Sequence, residues 1–159
     1  MPNHRTHLAT GILIWGSLTY TCHALGHPVA FIYYPLMLTF CLVGSIFPDI
    51  DTASKMQRMF LLLLLVCLPI ALLTYHTKAF IGLASALFVA LLVRHRTLTH
   101  SVIFLLLLTA GATWTIAHHY PFLETPSYYG ALFFASGALS HVALDLAMSA
   151  FKQNRIGRK

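Results

Sequence analysis

Asp49, Asp51 and Asp145 are the only aspartates in this 159-residue chain, and Glu124 is the only other acid. They fall in two fragments, Pro48-Asp49-Ile50-Asp51 and Ser140-His141-Val142-Ala143-Leu144-Asp145. A third fragment, Arg94-His95-Arg96-Thr97-Leu98-Thr99-His100-Ser101, adds imidazoles, guanidinium groups and hydroxyls. Carboxylates and imidazoles are the donors that a hydrolytic metal site needs. His141 and Asp145, at i and i+4 within an apolar run, share one helical face one turn apart and can bind a common ion. A central Asp in a membrane helix costs about 2.5 to 3.5 kcal/mol unless it is paired or holds a cation. The competing reading of this pair is a helix-packing hydrogen bond. Asp49 and Asp51, read as an extended stretch, point the same way and can ligate one metal or bridge two; a solvated turn with capping aspartates is the alternative. Arg96 suits two-point binding of phosphate oxygens, although inside-positive topology also explains arginines here. His100 is the better ligand candidate in this fragment, and His95 is a ligand or a general acid.

The elements that must position these residues are apolar. Hydrophobic residues make up 58% of the chain and charged residues 9%, against about a quarter charged in ordinary soluble domains. Mean hydropathy is +0.75. Apolar runs at Leu8–Leu25, Val29–Phe47, Met59–Tyr75, Ala79–Val93, Val102–Ala117 and Tyr128–Phe151 predict an all-α integral membrane protein with about six transmembrane helices in a compact bundle. Some runs, Ala79–Val93 above all, are shorter than the roughly 20 residues that span the hydrocarbon. The whole of 1–159 reads as one transmembrane helical domain, and Leu8–Leu25 reads as a retained helix, since no small-residue cleavage site follows it.

The net charge of +6 does not point to nucleic acid, because the basic residues sit at the ends of apolar runs instead of forming a soluble basic face. Six spans would put Arg5, Lys55, Arg58, Arg94, Arg96, Lys152, Arg155, Arg158 and Lys159 on one side and only Lys78 on the other. By the positive-inside rule both termini are cytoplasmic. All three aspartates belong to that same side. His7, which opens the first helix there with His4 one turn earlier, gains weight as a ligand from this company. His118, His119 and Glu124 fall on the opposite side, in a stretch of aromatic and proline residues better suited to a loop than to a site. Cys22, Cys41 and Cys67 lie in apolar runs without ligand spacing and read as small core hydrophobes.

Taken together, Thr6-His7-Leu8-Ala9-Thr10-Gly11, Pro48-Asp49-Ile50-Asp51, His95-Arg96-Thr97-Leu98-Thr99-His100-Ser101 and Gly137-Ala138-Leu139-Ser140-His141-Val142-Ala143-Leu144-Asp145 resemble the YdjM-like family of LexA-regulated, membrane-bound metal-dependent hydrolases. The third fragment is the most distinctive, and the order of all four adds specificity. The resemblance implies a multi-pass protein of the bacterial inner membrane. It also implies a metal site of His7, Asp49, Asp51, His100, His141 and Asp145, with His95 and Arg96 close by. Thr97 departs from the glycine common in the family after the His-Arg pair. Mixed His and Asp ligands suit one or two divalent ions, zinc or manganese first.

The expected activity is hydrolysis of a phosphoester in a membrane lipid or lipid-linked molecule at the cytoplasmic face, with Arg96 on the phosphate and His95 as proton donor. Two other classes compete with it: an ion- or proton-coupled transporter, and a regulatory membrane protein whose metal only holds helices together. The crowding of polar groups on one side argues against the transporter. Self-association as a homo-oligomer through small residues such as Gly82 and Ser85 is a further expectation.

Overall fold

The computed structural model describes residues 3–51, Arg58, Leu62, Leu65, Val66, Pro69, Leu73 and residues 100–156. They are helical or in short turns, with no strand among them. The chain divides into two units, one of Met1–Pro48 with Val102–Lys159 and one of Asp49–Ser101. In the second unit, Arg58, Leu62, Leu65, Val66, Pro69 and Leu73 are helical and exposed. Their spacing of i, i+4, i+7, i+8, i+11 and i+15 is one face of a helix, apolar beyond the arginine.

The first unit is built from four helices. Helix α1 (His4–Ala24) ends where Gly26 takes the left-handed backbone, at φ 77°. The His27 amide then donates to the Cys22 carbonyl at 2.9 Å, closing the helix in the manner of a Schellman cap. After a 3-10 turn at Phe31–Tyr33, α2 (Tyr34–Ile46) starts with Pro35 in its first turn, where the missing N–H costs nothing. A second 3-10 turn, Phe47–Asp51, follows directly. Helix α3 (Val102–His119) and α4 (Glu124–Ile156) are joined through the 3-10 turn Pro121–Leu123.

Close backbone approach fixes how α2 crosses α4. A Cβ on Gly44 would collide with the Phe134 carbonyl, and one on Gly137 with the Cys41 carbonyl. Small residues at such a crossing are the usual device of membrane helices, which gain by packing and not by expelling water. Gly11 brings α1 in beside them, with Ser45 Oγ 2.8 Å from where its Cβ would lie, and the Cys41 thiol donates to the Gly11 carbonyl at 3.2 Å. Val29, Met37, Cys41 and Phe133 form the buried apolar cluster alongside, so Cys41 is the small core residue its sequence context predicts. Gly137→Ala is expected to destabilise the protein by about 1–3 kcal/mol, because the obstacle is backbone and cannot rotate away. Thermal unfolding in detergent, with Gly16→Ala as a control at a position with open space, measures the difference.

Large apolar side chains lie on the surface while several polar ones are buried. Leu13, Ile32, Leu107, Trp114 and Leu146 are exposed, whereas His7, Thr19, Ser45 and His141 are buried. Hydroxyls on the helices bond to their own backbones, as Thr10 does to the Thr6 carbonyl, Thr109 to Leu105 and Ser136 to Leu132, which satisfies them without water. Phe31–Asp49, Val102–His119 and Pro121–Gln153 are each long and apolar enough to cross a membrane. The chain is an all-helical membrane protein.

The structure departs from expectation in three details. The first predicted span is helical, but Thr6, Thr10, Ser17, Thr19 and Thr21 dilute its apolar character, and it is not among the three spans above. The last helix overruns the predicted Tyr128–Phe151 at both ends. Residues 47–51 are 3-10, not extended, so the two-residue parity of an extended stretch, on which the reading of Asp49 and Asp51 rests, does not apply there. Of the predicted runs Met59–Tyr75 and Ala79–Val93, together with Cys67, Gly82 and Ser85, all but the isolated helical residues named above lie outside the described residues.

Candidate metal centre

Three helices of the first unit bring donors to one place. His7 comes from the second turn of α1, Ser45 from the last turn of α2, and His141 and Asp145 from the C-terminal half of α4. His7 and His141 are 2% and 0% exposed and Asp145 is half-buried. The two imidazoles stack at 3.8 Å between centroids, with 15° between planes. The Asp145 carboxylate straddles them, Oδ1 lying 3.6 Å from His7 Nε2 and Oδ2 3.8 Å from His141 Nε2.

These separations exceed a direct N–H···O hydrogen bond, which runs about 2.7–3.2 Å. They are close to the spacing of two ligands on one ion. Metal–ligand bonds of about 2.0–2.1 Å at a tetrahedral angle set neighbouring donors about 3.4 Å apart. The three donor atoms all lie within 4.8 Å of one another, so shifts of up to about an ångström would bring them onto a common centre at that ~3.4 Å spacing.

His141 carries a further mark of a ligand. Its Nδ1 lies 2.7 Å from the Ser45 carbonyl oxygen. A carbonyl only accepts, so Nδ1 holds the proton and donates, and in the neutral ring Nε2 presents its lone pair. In that tautomer the lone pair faces the Asp145 carboxylate, and a cation between the two, a metal ion as much as a second proton on the ring, would hold them together. Metal-binding histidines are characteristically oriented by such a donor bond from the other ring nitrogen. The donor set and this tautomer therefore fit a divalent ion of borderline softness.

Of the six ligands expected from the sequence, His7, His141 and Asp145 lie side by side in the first unit. In the second unit, Asp49 and His100 are half-buried and offer a carboxylate oxygen and a ring nitrogen within 4.8 Å of each other. Asp51 closes the turn that carries Asp49. His95, Arg96 and Thr97 lie outside the described residues. The Ser45 carbonyl went unread, since a backbone acceptor leaves no residue-type signature. The signal that could have found it is the pair of glycines, Gly44 and Gly137, in otherwise bulky apolar runs. His118 and His119 end α3 at the other end of the unit, His118 stacked on Trp114 and edge-on to His119, which suits an interfacial aromatic belt.

The YdjM inner membrane protein family matches residues 1–150. The chain belongs to this family. No curated protein and no solved structure matches it. The YdjM match spans every residue of the cluster, and it stops six residues short of the end of α4.

Proposed function

We propose that this YdjM-family chain is a metal-dependent hydrolase of the bacterial inner membrane, crossing it six times with both termini in the cytoplasm. Its substrate would be a phosphoester of a lipid or lipid-linked molecule, cleaved at the cytoplasmic face. The observation that carries the reading is the buried His7–His141–Asp145 cluster, with the His141 proton held at Nδ1 by Ser45. The nine-to-one bias of basic residues supports the orientation.

In this reading His7, His141 and Asp145 would hold one ion, and Asp49, Asp51 and His100 are the proposed donors to a second. Zinc or manganese held there would supply the Lewis acidity that polarises a phosphoryl oxygen and lowers the pKa of attacking water. The Ser45 carbonyl keeps His141 in the ligating tautomer. Buried imidazole faces exclude water from one side and strengthen every charge interaction at the cluster. Arg96 would hold the phosphate and His95 would protonate the leaving group. Regulation by LexA belongs to the same proposal.

Purified protein is expected to retain one or two equivalents of zinc or manganese by elemental analysis, and to hydrolyse a phosphodiester in mixed micelles with loss of turnover in EDTA. Bound metal with no turnover of any phosphoester or lipid would replace the hydrolase with a metal-stabilised regulatory protein. An ion flux in liposomes that disappears in Asp145→Ala would make it a transporter.

A further inference from the structure

Around the cluster, the helices of the first unit end at different levels. Helix α1 begins at His4, three residues before His7, and α2 ends at Ile46, one residue after Ser45. Helix α4 continues from Asp145 to Ile156, and these eleven further residues amount to about 16 Å at 1.5 Å per residue. Its overhang is not apolar all round. His141, Asp145, Met148 and Lys152 follow at intervals of four, three and four and so share a face. Lys152, which is exposed, thus stands on the side of α4 that carries the two ligands, about 10 Å farther out than Asp145. Exposed His4 stands one turn outside His7 on α1 in the same way.

A lysine aligned above a cation-binding cluster favours an anion in the space between the two charges. The geometry points to Lys152 as a headgroup-recognition residue: the substrate's phosphate sits between the cluster and Lys152, and the outer part of the headgroup is acidic or uncharged, not cationic. This rests on the metal-dependent reading above and narrows its substrate to acidic lipids. A choline or ethanolamine group would place its own positive charge against Lys152, whereas a glycerol or a second phosphate would not. Lys152 lies two residues beyond the span matched by the family.

The test uses the full chain in detergent, loaded with Co2+, whose visible absorption reports occupation beside the cluster. It is titrated separately with dihexanoyl phosphatidylglycerol, dihexanoyl phosphatidylcholine and inorganic phosphate. Phosphatidylglycerol is expected to saturate the wild type at about fivefold lower concentration than phosphatidylcholine, the scale of one lysine beside an anionic headgroup. Lys152→Gln should erase that preference, Lys152→Arg should keep it, and native mass spectrometry should show the same ranking of retained lipids. Lys152→Gln with an unchanged preference overturns the assignment, as does an equal weakening toward both lipids. A loss confined to inorganic phosphate would mean that Lys152 serves a free anion and would likewise overturn it. A wild type that takes up no Co2+ would instead overturn the metal centre, and this inference with it.

Discussion

Asp145→Asn is expected to abolish metal retention and turnover while leaving the protein folded. The substitution keeps the side chain's volume and removes only the charge that straddles His7 and His141 at 3.6 and 3.8 Å. Loss of a direct ligand should exceed the 10- to 100-fold penalty known for second-sphere partners, so retained metal should fall by at least about 100-fold. The sign of the stability change separates the competing accounts. A carboxylate within a membrane helix costs about 2.5–3.5 kcal/mol when nothing compensates it, so the metal-free Asn variant should unfold no lower than metal-free wild type. The wild type should gain about 2.7 kcal/mol when metal is supplied at 100 times its dissociation constant, and the variant should gain nothing. Thermal unfolding with EDTA and with added zinc, for both proteins, gives the four values needed. If the variant melts well below the wild type in EDTA, Asp145 is a structural hydrogen-bonding partner and the metal account fails.

Substituting His141 separates ligation from packing. In His141→Asn the side-chain amide sits near the place of Nδ1–H and can still donate to the Ser45 carbonyl, but nothing replaces Nε2. This variant should fold close to wild type and bind no metal. His141→Ala leaves the Ser45 carbonyl without its 2.7 Å donor in a site that is 0% exposed. An unsatisfied buried acceptor costs about 1–3 kcal/mol, and the cavity adds to it. The expected order of melting temperatures in EDTA is therefore wild type, then Asn close behind, then Ala lowest, with zinc raising only the first. Equal destabilisation by Asn and Ala would show that the Ser45 contact does not orient the ring.

Membrane residence was legible from composition, because so few charges in so apolar a chain admit no soluble fold. The pairing of His141 with Asp145 was also legible, since the helical repeat carries it regardless of what packs nearby. His7 joined them on weaker grounds, the shared side of the membrane, and the structure places it in stacking contact with His141. The sequence left open what Ser45 does, because a main-chain carbonyl has the same chemistry at every position. Only the α2–α4 crossing, made possible by Gly44 and Gly137, puts that oxygen against Nδ1 and so fixes a proton on that nitrogen. The same holds for Phe47–Asp51, where parity along the chain assumed an extended stretch and the backbone is a 3-10 turn. Residue types and local periodicity decide what each segment can offer. Which offers meet is decided by how closely backbones approach, a property of two helices together and of neither sequence alone.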